Sequence, residues 1–132
     1  MRRPGIITAM AVMGICLACG QRGEHDDFVR REIAEFHKRT IPLGSKVLIQ
    51  SGPKQNGRSK SASWEFETSW DWVHYEEWVT SQFQAEFVIR RVDGGHLLFT
   101  RSLHGDSEQL RVQAVSHGPK IKVMVEFVIY PD

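Results

Sequence analysis

The segment "IKVMVEFVIY", residues 121–130, constrains the fold more than any other. Ile121, Val123, Val125, Phe127 and Ile129 share one parity, and Lys122, Met124, Glu126, Val128 and Tyr130 share the other. Successive strand residues point to opposite faces, so this alternation belongs to a β-strand. The second parity is itself partly apolar, which predicts a central or partly covered strand. Such a strand needs neighbours for its backbone groups and a layer over its apolar face. The sequence supplies candidates for both. "EFVIRRV" and "HLLFTRSL" read as strands separated by Asp93-Gly94-Gly95, a tight-turn signal. "EQLRVQAV" follows the turn-like "HGDS", and "SHGPK" leads into the last strand. Upstream, "KVLIQ" (46–50) is a short strand, "SGPKQNGRSK" a loop or long hairpin connection, and "SASWEFET" a half-buried strand. In the last, Ala62, Trp64 and Phe66 face one way and Ser63, Glu65 and Glu67 the other. Short turns between successive strands predict an antiparallel meander.

Two stretches have helical periodicity instead. Phe28, Val29, Ile33 and Phe36 fall on one side of a predicted helix over 27–39, with Asp26 or Asp27 as its cap. Thr40, Pro42 and Gly44 end it, because proline disfavours helix in the residue before it. In "TSWDWVHYEEWVTSQF", Trp72, Tyr75, Val79 and Phe83 cluster on one face, with Trp78 to the side and Trp70 nearly opposite. Thr68 with Asp71 three residues on resembles a capping box. The expected order is α-β-β-α-β-β-β-β. That is an α+β fold: a mainly antiparallel sheet of about five to six strands with two amphipathic helices packed on one face.

The chain has 132 residues, 41% hydrophobic and 25% charged, as one globular domain would. Its formal net charge is +1, from 17 Lys+Arg and 16 Asp+Glu. Arg2 and Arg3 precede Cys19, which leaves 15 basic residues and a net charge of −1 for a chain starting at Cys19. That balance gives no electrostatic reason to expect nucleic acid as a partner.

The start of the chain reads differently from the rest. Arg2 and Arg3 precede "IITAMAVMGICLA", 13 uncharged residues from Ile6 to Ala18. That length suits the apolar region of a secretory signal and is too short for a membrane-spanning helix of ~20 residues. Small residues follow, so an ordinary signal peptidase is offered cuts after Ala18 and after Gly20. Within this run, Leu17, Ala18 and Cys19 resemble the lipobox of bacterial lipoproteins, in which the cysteine becomes the lipidated first residue. Cys16 departs from that pattern, which usually has an aliphatic residue there. The resemblance, which covers only this N-terminal segment, implies a signal peptide over 1–18 and lipidation at Cys19; the polar run after it reads as a tether over 19–26, and the patterns above as one α+β domain over 27–132. It implies a bacterial envelope location, with Gly20 permitting the outer membrane in a Gram-negative cell; free secretion is the alternative. Cys16 and Cys19 also have CxxC spacing, but a redox or zinc motif needs a folded polar frame and these lie in an apolar run. After either cut no cysteine pair remains, so the domain must hold together by its core.

Among residue types that carry chemistry, the tryptophans stand out. Trp64, Trp70, Trp72 and Trp78 are the four in the chain. Trp64 and Trp72 point into the expected core. Trp70 and Trp78 fall off it and are the candidate binding residues, since indole rings stack on sugars and flat ligands and anchor interfaces. Glu65 and Glu67 share a strand face, as a pair of hydrolytic carboxylates would, though a solvated face is the simpler reading. Six histidines form no HxH or HExxH pattern, so no metal is expected. Ser102, His104 and Asp106 lie too close together in sequence for a triad, and no GxSxG elbow is present. Lys54, Arg58 and Lys60 sit in a loop without the GxxxxGK[ST] pattern. The expected function is a small, non-enzymatic binding or assembly module without a cofactor. Its lipid anchor engages the membrane, and an envelope protein or glycan is its partner. The alternative is an anchored or secreted hydrolase of envelope polymers using Glu65 and Glu67.

Overall fold

The computed structural model describes residues 17–131. Residues 1–16 of the signal peptide predicted over 1–18 lie outside the described residues, as does the Cys19 side chain. Two compact units meet in sequence at Glu32 and Ile33. What is described of the first is helical, the N-terminal stretch of α1 (Leu17–Thr40). The second holds the end of α1, then β1 (Lys46–Asn56), β2 (Ser59–Thr68), α2 (Trp72–Phe83), β3 (Val88–Asp93), β4 (His96–Leu103), β5 (Asp106–Ser116) and β6 (Ile121–Tyr130). Helix α1 thus starts at Leu17 rather than at Asp27 and takes in the stretch read as a tether. Asp27 is only where apolar residues begin to recur; the helix itself needs no such recurrence, and no proline lies between Leu17 and Thr40. Among the described residues, no helix is long and apolar enough to cross a membrane.

The fold is α+β, with six antiparallel strands in the order β1-β2-β6-β5-β4-β3. Strand β6 lies centrally, between β2 and β5, as its two-sided apolar pattern predicts. Strands β3 to β6 form the expected meander, and β6 closes on β2 with Trp64 opposite Val125 and Phe66 opposite Val123. The stretch 51–56 is strand rather than loop. Shifts in pairing between Ser51 and Lys54 absorb Gly52 and Pro53, and the ladder resumes with Lys54 opposite Ser61. The β4–β5 turn is confined to His104 and Gly105, both with positive φ.

Both helices of the second unit lie on one sheet face. Phe36 of α1 packs against Phe83 of α2 (5.8 Å between ring centroids) and Phe127 of β6 (4.9 Å). Phe83 in turn meets Phe99 of β4 edge-on at 5.2 Å. Trp64, Phe66, Leu110, Val112, Val123 and Val125 complete this buried layer. Trp72, Tyr75, Val79 and Phe83 are the buried face of α2, as their spacing predicts. Thr40 locks the layers together: Trp64 Nε1 donates to its hydroxyl at 2.8 Å, and Tyr75 OH donates to its carbonyl at 2.7 Å. Burial pushes the Tyr75 phenol well above its ordinary range.

Candidate binding groove

The link from β2 to α2 places the two candidate tryptophans. Thr68 is still paired with Ile121 in the ladder, so it cannot also cap the helix. Its hydroxyl instead accepts from Trp70 N at 3.3 Å, holding the turn. The cap is Asp71, with extended backbone (φ −79°, ψ 168°) and its Oδ1 accepting from His74 N at 2.9 Å. The expected capping box with Thr68 is therefore replaced by a single Asp cap three residues on. His74 Nδ1 lies 2.8 Å from the same oxygen. The His74 backbone and side-chain hydrogen bonds hold the Asp71 carboxyl below its ordinary value.

The structure brings Trp70 and Trp78 together. Their rings meet edge to face, 5.5 Å apart at 88°, and both are half-buried. With Ser69, Asp71, His74 and Glu77 they line an open groove of about 640 Å³ along the first turns of α2. That is within the usual range for ligand sites.

Hydrogen bonding separates the four tryptophans into two pairs. Trp64 Nε1 donates to Thr40 and Trp72 Nε1 donates to Glu76 Oε1 at 3.0 Å. Both belong to the fold, and Glu76 is further held by Arg91. Among the described residues, Trp70 and Trp78 make no such bond with their indole N–H groups. Nor do Glu77 or the Oδ2 atom of Asp71 have a protein partner there. The groove therefore offers two apolar rings, two free donors and two free carboxylate acceptors. Sequence spacing separates inward from outward tryptophans, but it carries no sign of which N–H groups are already occupied.

The other candidates lie elsewhere. Glu65 and Glu67 project from the opposite face of β2 to Trp64 and Phe66, beside Met124 and Lys122 of β6, and neither lines the groove. Among the described residues, no three His, Cys, Asp or Glu side chains group closely enough to hold a metal ion. A second hollow of about 380 Å³ at one end of β4 and β5 contains Glu108 and Arg101. Glu108 is fully buried and its Oε1 accepts from Arg101 Nε at 2.8 Å, so these groups serve the core.

No protein-family model, curated protein or solved structure matches this chain.

Proposed function

We propose that the chain is an envelope-anchored, non-enzymatic binding or assembly module of a bacterial cell, tethered through a lipidated Cys19 and engaging its partner at Trp70 and Trp78. The anchor is supported by the likeness of Leu17-Ala18-Cys19 to a lipobox, and Gly20 would permit the outer membrane in a Gram-negative cell. The binding role is supported by one observation above the others: two of the four tryptophans spend their indole N–H groups inside the fold, and the two that do not are the two that line the groove. An aromatic pair kept for packing alone has no need of an open groove with free polar atoms around it.

Two measurements test the two halves of this reading. The intact mass of the chain from a native membrane fraction is expected to show a diacyl- or triacyl-modified Cys19 as first residue; an unmodified N-terminus removes the anchor. The double variant Trp70→Ala with Trp78→Ala is expected to unfold cooperatively with a loss of about 1 kcal/mol or less, as for residues outside the core. A loss of about 3 kcal/mol or more, typical of core truncation, would show the pair to be structural and remove the binding site.

A further inference from the structure

The polar atoms of the groove name the chemistry of its ligand. Two carboxylates line it, Asp71 and Glu77, and among the described residues the only other ionisable lining group is His74. His74 is already turned onto Asp71 Oδ1, which leaves Oδ2 and the whole Glu77 carboxylate facing solvent without a donor. Anionic acceptors beside indole rings attract a cation, through charge-assisted hydrogen bonds and through the negative faces of the rings.

The kind of cation is also constrained. A quaternary ammonium has no N–H group to donate to either carboxylate. A guanidinium has five donors in a planar fork, which matches carboxylates and stacks on indole at the same time. The two indole N–H groups without a protein partner can, in turn, donate to a ligand acceptor. The carbonyls of an extended peptide provide them on either side of a side chain.

We infer that the groove takes an arginine side chain presented on an extended peptide segment of a partner protein, its guanidinium held by Glu77 and Asp71 against the Trp70–Trp78 corner. The inference rests on the reading of this groove as the binding site, and it deepens that reading by naming the partner as a protein with an exposed arginine rather than a glycan.

The test uses the indole N–H signals of the full chain in 1H–15N NMR. Trp64 and Trp72 serve as internal controls, because their N–H groups are buried or bonded within the fold. The probes are a blocked Gly-Gly-Arg-Gly-Gly peptide, the same peptide with citrulline in place of arginine, and chitotetraose. The arginine peptide is expected to shift the Trp70 and Trp78 signals saturably, leaving Trp64 and Trp72 unmoved. Citrulline keeps the length and planar shape but replaces one amino group of the fork with a carbonyl oxygen and loses the charge, and is expected to bind about tenfold or more weakly. Glu77→Gln is expected to weaken the arginine peptide by a similar factor, and added salt to weaken it further. Equal binding of the arginine and citrulline peptides, or no effect of Glu77→Gln, overturns the inference. Saturation by chitotetraose alone overturns it too, while leaving the groove a binding site. If no probe moves either signal, the arginine assignment fails. The double-alanine stability measurement then decides separately whether the groove remains a site at all.

Discussion

Thr40 holds three elements together with two atoms. Its hydroxyl accepts from Trp64 of β2, its carbonyl accepts from Tyr75 of α2, and the hydroxyl itself donates to Phe36 O within α1 at 2.8 Å. All of this is fully buried, so a lost partner is not replaced by water. Thr40→Val keeps the shape and removes the hydroxyl, which strands the Trp64 N–H. We expect it to cost about 1–3 kcal/mol, with Thr40→Ser retaining most of the stability, as read by urea unfolding. An unchanged midpoint in Thr40→Val would show that the Trp64 donor finds another acceptor. In the sequence Thr40 is legible only as a residue near a helix end. Its partners lie 24 and 35 positions away, and no local pattern marks them. The same limit applies to the groove. The inward orientation of Trp64 and Trp72 follows from local period, whereas the freedom of the Trp70 and Trp78 N–H groups depends on what the fold fails to bring near them.

At the scale of elements, local period was a good guide wherever one face is buried. Strand β6 and helix α2 follow their patterns residue by residue. Strand β1 does not, because it is an edge strand with little buried surface, and Gly52-Pro53 interrupts what alternation it has. Its pairing continues because the backbone at Gly52 can adopt φ +100° and bring the chain close to β2. A side chain there has no room: a Cβ would lie 2.7 Å from the Ser61 carbonyl oxygen and 2.8 Å from Ala62 Cα. Gly52→Ala thus meets both an unfavourable backbone region and a clash with backbone atoms that cannot rotate away. We expect a loss of about 1–3 kcal/mol. Faster amide exchange should accompany it, confined to β1 and the facing part of β2. Gly57→Ala is the control for backbone strain without crowding, since it has φ +64° and open space around it. Equal losses in the two variants would mean that strain alone, and not the close approach, matters at Gly52. The α2 cap shows the same lesson in another form. Thr68 and Asp71 both have capping chemistry, and only the pairing of Thr68 with Ile121 decides between them.

Over the whole molecule, acid should weaken the fold in two separable steps. Glu86, between α2 and β3, pairs with Arg39 of α1 at 2.8 Å and with Arg101 of β4 at 3.0 Å, while Arg101 also holds buried Glu108 of β5. The Arg39 hydrogen bond, with its charge and that of Arg101, keeps the Glu86 carboxyl below its ordinary value, and Asp71 is lowered by His74. His37 is also lowered, for a different reason: it is packed against the Trp64 ring, 5.4 Å between centroids, and burial disfavours its charged form. In all three cases the unfolded chain binds the proton more readily than the folded one, so stability rises with pH. Each contribution is complete above the unfolded value and is lost as pH falls through the lowered folded one. For His37 the loss begins below about 6.5, and for the two carboxylates below about 4 to 4.5. The urea midpoint of the wild-type chain should therefore fall between pH 7.5 and 5.5, and again below pH 4.5. His37→Gln cannot take up a proton and should flatten the first fall, measured against its own midpoint at pH 7.5, while leaving the second in place. A first fall of the same size in His37→Gln would assign that step to another histidine. A second fall that vanishes with the first would mean that the Arg39–Glu86–Arg101 network does not survive loss of the imidazole beside Trp64.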